Sequence, residues 1–251
     1  MTRSLLEAVR TIALRAGEAI MDVYATDFDV HTKADASPVT AADEAAEAII
    51  IPALRLMTPE IPVVSEEAVS RDGLPNVDHS FWLVDPLDGT RDFVERNGEF
   101  TVNIALIEQH RPLLGVVHAP AIGRTFGGAG EYAFAEEKGQ RRVINCRCQP
   151  ENGMVVLGSR HHGDSDKLQR FLANYKVASF AKAGSSLKFC LIASGEADLY
   201  ARFGPTNEWD TAAGHAVLQA AGGAVTLPDG TPLSYGKPKL TNPDFIAWGK
   251  R

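Results

Sequence analysis

The stretch that decides the fold is Trp82-Leu83-Val84-Asp85-Pro86-Leu87-Asp88-Gly89-Thr90, WLVDPLDGT, an apolar run that goes straight into two aspartates. With Phe81 ahead of it, the run reads as a strand that ends in acid. A strand fixes the direction of its last side chain better than a loop does, so Asp85 is well aimed. Pro86 removes a backbone donor and stiffens the turn. Gly89 permits backbone angles that other residues avoid. Such a turn points Asp85, Asp88 and the Leu87 carbonyl at one spot. Oxygens presented this way suit a hard cation such as Mg²⁺, which keeps some of its waters and bridges carboxylates to a phosphate. The plain alternative is an Asx-type turn with solvated acids. A calcium EF-hand fits worse, because its loop wants glutamate at the twelfth position and, counting from Asp85, the twelfth residue is Arg96.

Two other segments repeat the pattern. Val63-Val64-Ser65-Glu66-Glu67 ends an apolar strand in carboxylates, and Asn207-Glu208-Trp209-Asp210 precedes an alanine-rich helix that stops at Gly222-Gly223. Taken singly, Glu66-Glu67 is a solvated strand end and Asp210 a helix cap or first-turn acid. Taken together, each acid closes an apolar element whose end is fixed by packing. Four converging carboxylates repel one another and need cations to coexist.

The rest of the chain bounds the reading. Its 251 residues allow a large core, in one domain or two closely packed halves. A net charge of −7 argues against general nucleic-acid binding, which needs a basic footprint. Three cysteines, two of them as Cys146-Arg147-Cys148, form no even disulfide framework and suit a reducing cytosol. With no second Cys or His pair at ligand spacing, that pair reads as ordinary strand residues. The N-terminal segment carries Glu7, Arg10, Arg15 and Glu18, too much charge for a signal or membrane segment. It is predicted to be an amphipathic helix with Leu5, Leu6, Val9, Ile12, Ala13, Ala16 and Ile20 on one face. FDVHTK alternates like a strand, SPVTAADEAAEAIIIPALRLM follows as a second helix, and Phe100–Pro120 reads as a hairpin turning at Gln109–Pro112. From about Met154 strands and helices alternate. Hairpin-rich sheet first and alternating units later predict a layered α/β (α+β) sandwich. Residues 1–251 are taken as one domain with a soft division into about 1–148 and 149–251.

In order along the chain, Glu66-Glu67, Asp85-Pro86-Leu87-Asp88-Gly89-Thr90 and Trp209-Asp210-Thr211-Ala212-Ala213-Gly214 resemble the signature set of the inositol monophosphatase superfamily, and the likeness spans essentially the whole sequence. The resemblance implies an αβαβα sandwich of the sugar-phosphatase type and a Mg²⁺-dependent, lithium-sensitive phosphomonoesterase. Arg96-Asn97-Gly98-Glu99-Phe100-Thr101-Val102-Asn103, Gly184-Ser185-Ser186-Leu187-Lys188-Phe189-Cys190 and Arg202-Phe203-Gly204-Pro205-Thr206-Asn207 are similar to the bacterial 3′(2′),5′-bisphosphate nucleotidase branch. Those enzymes take the 3′-phosphate from 3′-phosphoadenosine 5′-phosphate, a by-product of sulfate activation.

By that resemblance Glu66, Asp85, Asp88, Asp210 and the Leu87 carbonyl hold two or three Mg²⁺ ions. Thr90 orients the attacking water with Asp43 behind it, and Glu67 stands behind the ligands or holds a third ion. Asp43 also reads as part of a capping-box-like helix start, Thr40-Ala41-Ala42-Asp43. Gly89, Thr90, Asp210, Ser185, Lys188 and Arg202 form the substrate side, with Ser185 at a helix start where free amides favour an anion. Against this, Ser185 serves equally as a plain helix cap, and Lys188 and Arg202 as surface charges. Lys33 has a counterpart near the metal site, and His161 or His162 one near the base. His215 reads as a packed residue. The implied partner is a small phosphorylated nucleotide, and the implied location is cytoplasmic, with a peripheral seat on the inner face of the cell membrane left open along with the oligomeric state. An inositol phosphatase, a sugar bisphosphatase on the same metal core, and a silent metal or nucleotide sensor are the alternatives. The sensor requires loss of an acid or of Thr90, and all are in place.

Overall fold

Both faces of the apolar run ahead of Asp85 are covered, which is why it shows no polar alternation. The computed structural model of the chain describes residues 2–26, 38–75, 77, 79–159 and 165–250. Its first elements are α1 (Thr2–Tyr24), α2 (Pro38–Met57), β1 (Val63–Ser65), α3 (Glu66–Asp72), β2 (Ser80–Asp88) and α4 (Thr90–Val94). An antiparallel run follows, of β3 (Thr101–Glu108), β4 (Arg111–Ala119), β5 (Arg124–Ala129), β6 (Tyr132–Glu137) and β7 (Gln140–Val143). Then come β8 (Met154–Gly158), α5 (Ser165–Leu172), β9 (Val177–Lys182), α6 (Leu187–Ala193), β10 (Leu199–Arg202) and β11 (Thr206–Asn207). The last are α7 (Trp209–Ala220), β12 (Ala224–Thr226), β13 (Thr241–Asn242) and β14 (Phe245–Trp248).

These elements stack in five layers. β1 to β7 form one sheet in chain order, with β1 parallel to β2 and the rest antiparallel. On one face lie α1 and α2, where Leu6, Val9, Ala13, Ala16 and Ile20 meet Trp82, Val84, Ile104 and Val116. On the other lie α6 and α7, where Ala213, Val217 and Phe189 meet Phe81, Leu83, Ala105 and Val117. A second sheet in the order β12-β14-β10-β8-β9 covers those helices, and α5 packs on its outer side through Leu168, Phe171 and Leu172. The layered α/β sandwich read from the sequence is the architecture found, and His215 is packed inside it, its Nδ1 2.9 Å from the Tyr235 hydroxyl.

Three local readings need correction. β2 does not end at Asp85 but continues through Pro86 and Leu87 to Asp88. Glu66 and Glu67 open α3 rather than close a strand, and Ala68–Asp72, with no assignable sequence pattern, continues that helix. The Cys146-Arg147-Cys148 segment lies outside the strands, with one isolated bridge from Cys148 to Lys250. The FDVHTK segment, Lys33, His161 and His162 lie outside the described residues.

Two glycines set how closely α7 sits on the first sheet. A Cβ at Gly115 would stand 2.6 Å from the Ala213 carbonyl oxygen, and one at Gly128 2.6 Å from the Val217 Cα. Backbone atoms of a packed helix cannot give way as a side-chain tip can. Gly115→Ala is therefore expected to cost about 1–3 kcal/mol of stability by overpacking. Urea unfolding checks this, and an unchanged midpoint contradicts the close packing of α7.

Candidate active site

The Pro-Leu pair between the two aspartates is a bulge with a geometric consequence. In the β2–β3 ladder Asp85 pairs with Asn103 and Asp88 with Thr101, so Pro86 and Leu87 face only Val102. In an unbroken strand, residues three apart point to opposite faces. The extra residue restores phase, so Asp85 and Asp88 share the face that Thr101 and Asn103 share. Pro86 costs nothing there, since a bulge tolerates a missing donor. The Leu87 amide donates to Asp85 Oδ1 at 3.1 Å, an Asx-type turn that steadies the first carboxylate. The turn and the aimed acid thus coexist.

Other elements bring acids to the same place. Glu66 heads α3, directly after a strand parallel to β2, and Asp210 lies in the first turn of α7. Glu66, Asp85 and Asp210 each present a carboxylate oxygen, and these oxygens lie within 4.8 Å of one another. Burial, then the charges of Asp88 and Glu67, push the Glu66 pKa up to about 7. Burial and Asp88 push Asp210 up to about 8, against the pull of the Asn207 amide that donates to it. Asp85, wholly buried, is raised well above the usual carboxylate range by desolvation and by Asp88, Glu66 and Asp210. Hard, anionic oxygens at this spacing fit a divalent cation. Asp88 stands beside the three. Its Oδ2 accepts hydrogen bonds from the Ser186 amide at 2.9 Å, from Asn103 Nδ2 at 3.2 Å and from the Ser185 hydroxyl.

The acids form one wall of a cavity of about 830 Å³, the size of a small-molecule site. Gly89 and Thr90 line it at the start of α4, where Gly89 has φ +92°, a conformation that suits glycine. The same cavity is lined by Lys188 and Arg202, both buried rather than surface charges, and Arg202 is near enough to Asp210 to pull its pKa down. Burial lowers the Lys188 pKa to about 8, while the Asp88 charge opposes that shift. Its Nζ donates to the carbonyls of Ser185 at 2.5 Å and Ala183 at 3.2 Å. Arg202 donates through Nη2 to the Pro205 carbonyl at 3.0 Å, and its buried Nε has no hydrogen-bond partner. Tyr200, Phe203 and Phe245 supply aromatic surface between them.

Comparison with known proteins fits this geometry. The profile of the inositol monophosphatase family matches residues 1–248. The chain belongs to that family. It is 49% identical over 244 residues, covering 96% of this chain and 98% of the other, to the 3′(2′),5′-bisphosphate nucleotidase CysQ of Escherichia coli O157:H7. It is 43% identical over 236 residues to the protein of the same name from Buchnera aphidicola, covering 93% of this chain and 88% of the other. Among solved structures, CysQ from Bacteroides thetaiotaomicron superposes with a TM-score of 0.84 at 36% identity, covering 99% of this chain and 98% of that one.

Within this member of the inositol monophosphatase family, the residues singled out in the sequence are placed as follows. Glu66, Asp85, Leu87, Asp88, Gly89, Thr90, Ser185, Lys188, Arg202 and Asp210 line one cavity. Asp43 and Glu67 do not line it, but their charges bear on Glu66. Asp43 sits inside α2, which begins at Pro38, so it is not a cap; burial first, then Glu67 and Glu66, raise its pKa to about 8. Glu67 is raised by burial and by Glu47 and Glu44 of α2. Ser185 does not cap α6. With φ +50° it turns its hydroxyl to Asp88 and to Thr101, while the amides beside it are taken, Gly184 by Glu99 and Ser186 by Asp88. The sequence reading gave no site role to Asp92, Glu99, Thr101, Asn103 or Ser186, although the last four stand in the motifs that carry the nucleotidase resemblance. Thr101 and Asn103 left one signal, two polar residues at alternate positions of an otherwise apolar strand. Among the described residues no helix is long and apolar enough to cross a membrane.

Without cations the raised carboxyls make stability fall with pH. Asp43, Glu66 and Asp210 keep protons up to about pH 7–8 when folded, whereas in the unfolded chain they release them near 4. The native state therefore binds more protons between those limits, and stability is lost as pH rises through them. The urea midpoint in EDTA is expected to drop between about pH 5 and pH 8, and excess Mg²⁺ to remove most of that slope. A flat EDTA series contradicts the burial of these acids.

Proposed function

We propose that this chain is a Mg²⁺-dependent 3′(2′),5′-bisphosphate nucleotidase, which hydrolyses adenosine 3′,5′-bisphosphate to AMP and phosphate. The observation that carries the reading is the pairing of two unlike sets of groups in one cavity. A cluster of carboxylates shares that cavity with a buried arginine that has an unpaired donor and with a buried lysine. A substrate with two phosphates has a seat at each. The names of the relatives at 43–49% identity support the same substrate.

In this reading Glu66, Asp85, Asp88, Asp210 and the Leu87 carbonyl would hold two or three Mg²⁺ ions. Bound there, the ions lower the pKa of a water and offset the charge of the phosphate and leaving oxygen. Thr90, freed by the Gly89 turn to face the cavity, orients the attacking water in line with the breaking P–O3′ bond. Asp43 and Glu67, whose charges bear on one another and on Glu66, stand behind Thr90 and that water. The ribose 3′ oxygen leaves and takes a proton as AMP is released. Arg202 meets the 5′-phosphate, its Nε donor being otherwise unsatisfied in a buried setting. Lys188 adds charge below the 184–186 segment and holds that segment's carbonyls, so Ser185 keeps its left-handed turn.

Phosphate release from adenosine 3′,5′-bisphosphate, inositol 1-phosphate and fructose 1,6-bisphosphate tests the substrate. The nucleotide is expected to have the largest kcat/KM, and EDTA to abolish turnover of all three. Faster turnover of inositol 1-phosphate overturns the substrate, and full turnover in EDTA overturns the metal.

Arg202→Ala separates the two seats. It is expected to raise KM for adenosine 3′,5′-bisphosphate about ten- to a hundredfold, the worth of a charge-assisted bond. Adenosine 3′-monophosphate, which lacks the 5′-phosphate, should be hydrolysed with little change in KM. Equal losses for both substrates remove Arg202 from the 5′-phosphate.

A further inference from the structure

Asn103 is a fully buried amide in the middle of β3, beside the acids yet neither an acid nor a cation. It pairs with Asp85 in the β2–β3 ladder. Its Nδ2 donates to Asp88 Oδ2 at 3.2 Å and to the Ser186 hydroxyl oxygen at 3.0 Å. Its Oδ1 accepts from the Thr101 hydroxyl at 3.0 Å. Ser186 in turn donates its hydroxyl proton to the Asp210 carbonyl at 2.6 Å.

Proton counting fixes which way this amide faces. Ser186 has one hydroxyl proton and gives it to Asp210, so toward Asn103 it only accepts. The Asp88 carboxylate also only accepts. The NH₂ end of Asn103 therefore serves both, and each of its two protons has one partner. One branch ends on the side chain of Asp88, the other on the backbone at the first turn of α7, which carries Asp210.

We infer that Asn103 is a positioning residue that sets the spacing between Asp88 and Asp210. The inference rests on the reading that these acids hold divalent cations. The residue type fits the task. A neutral amide offers two donors without adding charge, so it restrains mutually repelling carboxylates and leaves their attraction for a cation intact. A lysine here would neutralise that attraction, and an aspartate would add repulsion while donating nothing. The backbone pairing with Asp85 anchors the amide on the strand that bears the first acid, so one side chain ties together elements far apart in sequence.

Mn²⁺ binding to the metal-stripped full chain, measured by calorimetry, tests this without turnover. Asn103→Leu keeps the branched shape and removes every polar bond of the side chain, and Ser186→Ala cuts only the branch to Asp210. The Mn²⁺ dissociation constant is expected to rise roughly tenfold or more in Asn103→Leu, the scale on which groups behind metal ligands act. It should rise in the same direction in Ser186→Ala. kcat should fall in parallel, and excess metal should recover part of it. A role in stability alone would lower the melting temperature and leave the Mn²⁺ constant of the folded protein unmoved, which overturns the proposal. If Asn103→Leu fails to fold, Ser186→Ala decides, and an unchanged Mn²⁺ constant there overturns it equally. No Mn²⁺ binding by the unsubstituted chain overturns the metal reading and this inference together, whereas normal binding in both variants overturns only the role of Asn103.

Discussion

Carboxylates withdrawn from water beside one another repel, and the structure of this chain is arranged around holding several of them together. Glu66, Asp85, Asp88 and Asp210 come from β1–α3, β2 and α7, elements whose positions are set by packing elsewhere. Desolvation and like charge push three of their pKa values upward. Such an arrangement stores electrostatic cost in the folded state. That cost is offset when divalent cations enter, which couples metal binding to stability.

The framework that bears this load is rigid for identifiable reasons. β2 is paired on both edges, with β1 and with β3, and is buried on both faces, so Asp85 sits on a firmly held strand. α7 is drawn against β4 and β5 because Gly115 and Gly128 leave no side chain between them. That close approach carries the Asp210 turn to the strand end. Glu208, fully buried just ahead of α7, accepts from the amides of Gly236 and Lys237 and pairs with the Lys237 ammonium, tying the helix start to the 234–240 loop.

The acidic and cationic sides of the site are linked. Ser185 and Ser186, next to the buried cations, both bond to Asp88, and Ser186 bonds to the Asp210 carbonyl. The 184–186 segment and the acids are therefore joined in one hydrogen-bonded unit.

The sequence alone determined the layered α/β architecture, the acids of WLVDPLDGT and of the strand and helix ends, and the family, because apolar runs punctuated by acid and glycine are local signals. Even the Asx turn and the aimed carboxylate, opposed as alternatives in the sequence, proved to be one structure. Tertiary structure decided the rest. The bulge that returns Asp88 to the face of Asp85 is visible only once β3 supplies a register. Lys188 and Arg202, which read equally well as surface charges, are buried because α6 and β10 lie between two sheets. The bonds from Thr101 to Ser185 and from Asn103 to Ser186 join residues more than eighty positions apart. Hydrogen bonds of that span depend on distances between elements, and no pattern along the chain encodes a distance across it.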